Sequence, residues 1–232
     1  MNTLELSDNE IDIILFDLIQ SHGYDFTNYA RASLRRRINK LLSADRFTSF
    51  AEFRFCINSD AHYLKRFVAQ ITVNFTEMFR DVSFYKAMRE HVLPMLATRP
   101  LIPIWHAGCS TGEEVYSMAI ILKEANLLHK SLLYATDINP AVLEQVRTGI
   151  YPVSQMKTYS ENYILSGGHR DFSSYYTAQY DVVRFDEALA SRIILATHNL
   201  VSDRSFNEFQ LIVCRNVLIY FDRALQNKTL QL

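Results

Sequence analysis

The sequence predicts an α/β protein: an open parallel sheet covered by helices, a small helical domain before it, and a small antiparallel insertion within it. Three observations predict this. From residue 102 onward, uninterrupted apolar runs alternate with helical patterns, the signature of strand–helix–strand units. Before residue 72 only helical periodicity occurs. Between residues 152 and 191 the rhythm changes to partial alternation rich in aromatic and β-branched residues. At 232 residues the chain has room for one substantial domain and a smaller one.

Taken in order, Ser7 with Glu10 three residues later is a capping-box signature, and Ile11, Ile14, Leu15, Leu18 and Ile19 then form an apolar stripe ending at Gly23. A second helix is expected over residues 29–42, with Leu34, Ile38, Leu41 and Leu42 inward and Arg31, Arg35, Arg36, Arg37 and Lys40 elsewhere on its surface. From Asp25 to Arg46 six basic residues stand against two acids, a local charge of +4 in a chain whose net charge is −1. That run is either a solvated helix face or a docking face for an acidic partner. Helices over residues 48–58 and 61–71 complete a small bundle, giving a first domain of residues 1–72. The polar segment 72-TVNFTEMFRD-81 then precedes a helix over residues 84–97.

Pro100 and Pro103 flank the start of a first strand at 102–105. A helix over 113–125, a strand at 132–138, a helix opened by Pro140 with Val142, Leu143 and Val146 on one face, and strands at 192–197 and 209–214 follow. The stretch 170-RDFSSYYTAQYDVVRF-185 reads as the antiparallel insertion, with Tyr175, Tyr176, Tyr180 and Phe185 as a packed β-face. The sheet domain thus covers residues 99–232, with the insertion at 152–191.

Composition excludes several classes. A hydrophobic content of 49% and a charged content of 21% are those of an ordinary globular protein. The near-neutral charge argues against a general nucleic-acid binder. Cys56, Cys109 and Cys214 lack metal-ligand spacing and read as reduced thiols of a cytoplasmic protein, with no metal site expected. The N-terminal stretch carries acids through its apolar part and lacks a basic leader, so no signal peptide is expected. No apolar run approaches the roughly 20 residues of a membrane span.

The stretch 106-HAGCSTGEEVYS-117 lies between the first strand and its helix, where open sheets bind ligands. It lacks the Lys-Ser/Thr ending of a phosphate-binding loop and the third glycine of a dinucleotide fingerprint. A pyrophosphate resting on the helix N-terminus would meet Glu113 and Glu114 and be repelled. Carboxylates there suit the helix dipole and accept hydrogen bonds from sugar hydroxyls or a cationic ligand. Asp137, at the end of the second strand, is a further acid placed to meet a ribose. A phosphate-free cofactor with a ribose and a positive charge satisfies these demands, and S-adenosylmethionine is such a molecule. The bland alternative is that both glutamates only cap a helix.

At this point several segments together resemble one family. They are the Arg triplet at 35–37, 71-ITVNFTEMFRD-81, 108-GCSTGEEVYS-117, 136-TDINPAVLEQVRTGIY-151, 198-HNL-200 and 214-CRNVLIYFD-222. The chain resembles the chemotaxis receptor glutamate O-methyltransferases, the CheR family, over nearly its whole length. The resemblance implies a Rossmann-like methyltransferase sheet and S-adenosylmethionine-dependent methylation of glutamates on the cytoplasmic helices of chemoreceptors, with S-adenosylhomocysteine as product. It implies that the segment over residues 73–98 closes over the cofactor, through Asn74, Thr76 and Arg80. It assigns cofactor binding also to Gly108, Glu114, Asp137, Asn199, Leu200, Arg215 and Asn216, and places Tyr220 beside the transferable methyl. Arg31, Arg35, Arg36 and Arg37 would dock the receptor. Some members of the family bind a receptor tether at the antiparallel insertion, whose edge offers strand addition.

The chemistry needs no general base, because a glutamate carboxylate with a pKa of about 4.3 is already ionised at neutral pH. It needs alignment with the methyl–sulfur axis and exclusion of water. Arg80 then holds either the substrate carboxylate or the cofactor's own, and Tyr220 packs near the sulfonium. Cys109 and Cys214 read as buried fillers, and His106 and His198 as wall residues of the pocket. The sequence ends within the helix after the fourth strand, so the remaining strands of such a sheet are expected to be missing, leaving the fourth strand as an exposed apolar edge prone to self-association. Two other functions stay open: a cofactor-binding signalling module made inactive by an incomplete sheet, and a methyltransferase for another substrate. The segment CRNV lacks the Asn/Asp-Pro-Pro-aromatic motif of amino-directed nucleic-acid methyltransferases, which disfavours a nucleic-acid target.

Overall fold

The computed structural model describes residues 4–72 and 76–231. Asn74 of the expected cofactor set lies outside them. The chain forms two compact units, one of residues Met1–Val73, Asn199–Ser205 and Asn216–Leu232, the other of Asn74–His198 and Phe206–Arg215.

The first unit opens with helix α1 (Asp8–His22). Its capping box is formed: the Ser7 hydroxyl accepts the Glu10 amide at 3.3 Å while the Glu10 carboxylate accepts the Ser7 amide at 2.8 Å. Gly23, at φ 74°, ends the helix by donating its amide to the Ile19 carbonyl. Helices α2 (Arg31–Asp45), α3 (Phe50–Ser59) and α4 (Ala61–Ile71) follow, each close to its expected position. Ile11, Ile14, Leu18, Leu34, Ile38, Phe53 and Phe67 are buried, so the apolar stripes face inward as their spacing requires. The buried Asp17 carboxylate is gripped by the Arg54 guanidinium through Nε at 2.6 Å and Nη2 at 2.9 Å. That fork pulls the Asp17 pKa below the usual carboxylate range.

The second unit begins with one continuous helical stretch: α5 (Val82–Ala87), a π-helical turn (Met88–Val92) and α6 (Leu93–Ala97). The π-turn has a local cause. Pro94 cannot donate to the Glu90 carbonyl and its ring crowds it, so the preceding turn widens. Strand β1 (Ile102–Ala107), helix α7 (Glu113–Glu124), strand β2 (Ser131–Asp137) and helix α8 (Pro140–Thr148) come next. The insertion comprises β3 (Ile150–Pro152), helix α9 (Met156–Leu165), β4 (Tyr176–Gln179) and β5 (Val182–Phe185), after which α10 (Glu187–Ala190) leads to β6 (Ile193–Thr197) and β7 (Leu211–Val213). The large sheet is parallel with order β6-β2-β1-β7. From β1 the chain steps to one side through β2 and β6 and returns on the other at β7. The order therefore reverses between β1 and β7, and the carboxyl end of β1 is the switch point. The small sheet, β3-β5-β4, is antiparallel.

Four expectations change in detail. The large sheet is not covered evenly on both faces: Ile194 and Ile212 share a row with Tyr134 and Trp105, and both are more than a third exposed, while Phe206 and Phe209 pack on Trp105 at the centre. The segment around residues 76–81 is not only polar, since Met78 and Phe79 are fully buried, with Phe79 packed on Tyr85 and Tyr163. Tyr175 and Phe185 are buried in the insertion as expected, but Tyr180 sits at φ 53° in the β4–β5 turn and is 93% exposed. Strand β7 is three residues long and not six, and among the described residues it pairs with β1 alone.

The chain then re-enters the first unit. A 3₁₀ turn (Leu218–Tyr220) and helix α11 (Arg223–Thr229) follow β7. The Ala30 amide donates to the Tyr220 carbonyl at 2.8 Å, the Asp222 amide to the Asn28 carbonyl at 3.0 Å, and Tyr29 forms an antiparallel bridge with Phe221. No helix among the described residues is long and apolar enough to cross a membrane.

Gly112, the residue before α7, has φ 93°, and a Cβ there would lie 2.7 and 2.9 Å from the two Val146 methyl groups on α8. Gly112→Ala is therefore expected to destabilise the protein by about 2–4 kcal/mol, from left-handed backbone strain and overpacking together. Urea denaturation followed by circular dichroism measures it.

Candidate functional site

The turn after β1 is held by main-chain bonds to β2. The Gly108 and Cys109 amides both donate to the Thr136 carbonyl, at 2.8 and 2.9 Å, and Gly108 takes φ 76°. One residue on, the Ser110 amide donates to Asp137 Oδ2 at 3.0 Å, while the Asn139 amide donates to Asp137 Oδ1 at 2.9 Å. Ser110 itself lies in the left-handed region, at φ 52°. The Asp137 carboxylate thus joins the ends of β1 and β2 and is buried. Burial raises its pKa, and the amide bonds offset part of that rise.

The two glutamates that open α7 have separate tasks. Glu113 is buried; Thr111 Oγ1 donates to its Oε2 at 2.6 Å and the Tyr159 hydroxyl to its Oε1 at 3.4 Å. Burial pushes its pKa up. Glu114 pairs through Oε1 with His106 Nδ1 at 2.9 Å and through Oε2 with Arg215 Nη1 at 3.1 Å. Arg215, just after β7, also donates from Nη2 to the Arg80 carbonyl at 2.8 Å and to Asp81 Oδ2 at 2.6 Å. Its guanidinium lies 4.1 Å from the centre of the Phe84 ring. The same segment is fixed again where the Phe79 amide donates to Ser117 Oγ at 3.0 Å. Phe79 and Asp81 both take positive φ, 54° and 60°, so this segment is bent to fit α7.

Of the residues expected to contact a cofactor, Gly108, Glu114, Asp137 and Arg215 therefore lie together at the carboxyl ends of β1, β2 and β7, with Arg80 joined to them through its carbonyl. Thr76 lines a cavity of about 350 Å³ with Glu77, Thr111, Glu113 and Tyr159. Arg215 and Glu114 spend their charge on each other, which makes them a positioning pair. Cys109 and Cys214 are protonated fillers, the first raised well above the usual thiol value by burial and the second pushed up to about 11. His198 packs edge-on against Trp105 at 5.1 Å. His106 does more than line a wall, since it holds Glu114; its place in β1, eight residues before that glutamate, was the available signal. Tyr159 was missed, because nothing in its local pattern distinguishes it. Among the described residues no cluster of three His, Cys, Asp or Glu side chains is placed to hold a metal ion.

Asn199, Leu200, Asn216 and Tyr220 belong to the first unit. The Asn199 side chain accepts the Val201 amide at 2.9 Å, and its own amide donates to Asp203 Oδ2 at 2.8 Å. Leu200 is buried, and Asn216 takes φ 57°. The Arg37 guanidinium lies 4.8 Å over the Tyr220 ring and donates to the Ile71 carbonyl. Arg31 pairs with Asp8 and Asp12, and Arg35 with Asp8. Arg36 is exposed and makes no ion pair among the described residues. The four arginines are thus not one free basic face: one points outward unpaired, two pair with α1, and Arg37 braces Tyr220.

Comparison with known proteins gives a consistent result. Residues 74–232 match the family model described as CheR methyltransferase, SAM binding domain, and residues 13–72 match CheR methyltransferase, all-alpha domain. Among relatives, Cher3 of Pseudomonas putida is 43% identical over 226 residues, covering 97% of this chain and 83% of that protein. The chemotaxis protein methyltransferase of Listeria innocua is 30% identical over 220 residues, covering 93% and 81%. That of Escherichia coli is 27% identical over 234 residues, covering 98% and 79%. With both of the family's domain models matched in order along one sequence, the chain belongs to the CheR methyltransferase family.

Proposed function

We propose that this chain transfers a methyl group from S-adenosylmethionine to glutamate side chains on the cytoplasmic helices of chemoreceptors, as a cytoplasmic enzyme. The observation that carries the reading is the buried Asp137 carboxylate at the end of β2, fixed by the Ser110 and Asn139 amides beside the turn after β1. A carboxylate so placed accepts hydrogen bonds from a ribose diol. The acids that open α7 fit a cofactor without phosphate and oppose one with it. When bound, S-adenosylmethionine supplies a methyl group on a positively charged sulfur. Arg80 orients a carboxylate, of the substrate or of the cofactor, and Tyr220 packs beside the reacting carbon. Neither moves a proton, because glutamate reacts as the carboxylate it already is. Thr76 and Asn74 contribute with the segment over residues 73–98, which we assign to covering the cofactor; Gly108, Asn199, Leu200 and Asn216 are assigned to its binding. Of the basic helix, Arg36 is free to meet an acidic receptor face, and the exposed pairs of Arg31 and Arg35 are weak enough to exchange for one. The names of the Listeria and Escherichia relatives support chemotaxis as the setting.

The direct test is transfer of labelled methyl from S-adenosylmethionine to chemoreceptor cytoplasmic fragments. Base-labile methyl ester on glutamate is the expected product. Label on nucleic acid or on a small molecule, with none on receptor, would overturn the receptor assignment.

Asp137 gives a pH signature. Its pKa is raised by burial, so S-adenosylhomocysteine affinity should fall on acidification through that raised value, beginning above the pH of about 3.9 at which an ordinary aspartate protonates. The ligand-free protein should respond oppositely. The group's contribution to folding stability is complete below the unfolded value and is lost as pH rises through the folded one. Asp137→Asn should weaken binding and flatten both profiles, read by calorimetry and thermal melts. Arg215→Lys replaces the fork and the stack on Phe84 with a point charge. It should destabilise the protein by about 1–3 kcal/mol and reduce methyl transfer, through lost positioning and not lost charge.

A further inference from the structure

The segment 148-TGIY-151 has no part in the proposed chemistry, yet it joins the small antiparallel sheet to the turn after β1. Helix α8 ends at Gly149, whose φ of 62° turns the chain back over α7 so closely that a Cβ there would stand 2.6 Å from the Tyr116 hydroxyl. Strand β3 then places Tyr151 opposite Val183 of β5. The Tyr151 ring is 1% exposed and packs edge-on against Tyr116 and Phe185, at 5.8 and 5.7 Å. Its hydroxyl donates to the Thr111 carbonyl at 2.7 Å, 40 residues away in sequence. Burial raises the phenol well above its ordinary pKa, so it remains a donor.

That carbonyl belongs to the strained part of the turn. Thr111 stands between Ser110 and Gly112, both left-handed, at φ 52° and 93°. A left-handed serine persists only where its surroundings hold it. Strand β2 supplies one hold, through the Gly108, Cys109 and Ser110 amides. The small sheet supplies another, through Tyr151. The Thr111 carbonyl is free to take that bond because it stands outside α7, whose ladder starts where the Gly112 carbonyl accepts the Tyr116 amide at 2.9 Å. The same hydroxyl lies over Gly112, where a Cβ would come within 3.1 Å of it. A second tyrosine of the insertion, Tyr159 on α9, reaches Glu113 Oε1 at 3.4 Å.

We propose that Tyr151 is a positioning residue for the cofactor: its hydroxyl keeps the turn after β1 in the shape that S-adenosylmethionine requires, so the small sheet tunes cofactor affinity from behind the turn. The proposal rests on the reading of this turn as the S-adenosylmethionine site. Without the hydroxyl, Ser110 and Gly112 relax, the fraction of molecules with a competent turn falls, and affinity falls by the same factor. A merely structural tyrosine would cost stability alone. Tyr116 supplies the comparison. Its hydroxyl belongs to the same aromatic cluster but donates to the Val146 carbonyl of α8, at 3.0 Å, and not to the turn.

Calorimetric titration of S-adenosylhomocysteine into the parent chain, Tyr151→Phe and Tyr116→Phe is the test, with a thermal melt of each. Phenylalanine keeps the ring and its packing and removes one buried hydrogen bond in either place, so the two variants should lose similar stability. Tyr151→Phe should weaken S-adenosylhomocysteine by roughly fivefold or more, the weight of one hydrogen bond, while Tyr116→Phe stays within about twofold of the parent. In methyl transfer, Tyr151→Phe should raise KM for S-adenosylmethionine and leave kcat unchanged, because saturating cofactor restores the turn. Unchanged affinity in Tyr151→Phe, equal weakening in both variants, or unfolding of Tyr151→Phe alone would overturn the positioning role and leave the cofactor reading standing. Absence of S-adenosylhomocysteine binding by the parent chain would overturn the cofactor reading, and the proposal with it.

Discussion

The Arg215 guanidinium is the constraint on which the second unit's functional end depends. One planar group satisfies the Glu114 carboxylate, the Arg80 carbonyl and the Asp81 carboxylate, and it lies over the Phe84 ring. Three segments distant in sequence are thereby fixed to one point: the start of α7, the bend before α5, and the end of β7. A lysine has no equivalent geometry, because its ammonium cannot present a planar fork and a flat face together. Glu114 is committed to cationic and imidazole partners, Arg215 and His106, whereas Asp137 beside the turn is held by backbone amides. The charge pattern of the turn follows from that division of labour.

The architecture was legible because its strands are continuous apolar runs and its helices have clean periodicity. The capping box at Ser7 and Glu10, and Pro140 opening α8, are local signals with local causes, and they formed where they stand in the sequence. What local pattern did not reveal was long-range pairing. Met78 and Phe79 sit in a segment that reads as polar, yet they are buried because α7, α9 and the Phe172 region supply a pocket that only the folded chain assembles. Tyr180 reads as another aromatic of a packed face, yet the hairpin turn needs a left-handed residue at that position and carries it into solvent.

The candidate site was legible to a similar depth. The glycines and acids of the turn point to a phosphate-free ligand, with helix capping as the alternative, and the family resemblance supplied residues far from the turn. Which acid does what was not legible. Glu113 and Glu114 are adjacent in sequence but face different partners, one buried against Tyr159 and the other paired with Arg215. The basic helix shows the same limit. Its arginines look equivalent as a run, and their separate fates depend on Asp8, Asp12, Ile71 and Tyr220, none of which lies on that helix.

The first unit is discontinuous in sequence, and this bears on how the chain is made. Its helices α1 to α4 leave the ribosome early and rest on local contacts, which form fast. Its closing bonds, from Ala30 to Tyr220, from Asp222 to Asn28 and from Lys228 to the Val201 carbonyl, wait for residues translated after the whole parallel sheet. The part begun first is therefore completed last, and Tyr220 is braced by Arg37 only when synthesis has passed both sheets. A nascent chain therefore holds Tyr220 unfixed until both sheets have been made, and ordering of that ring reports closure of the discontinuous unit.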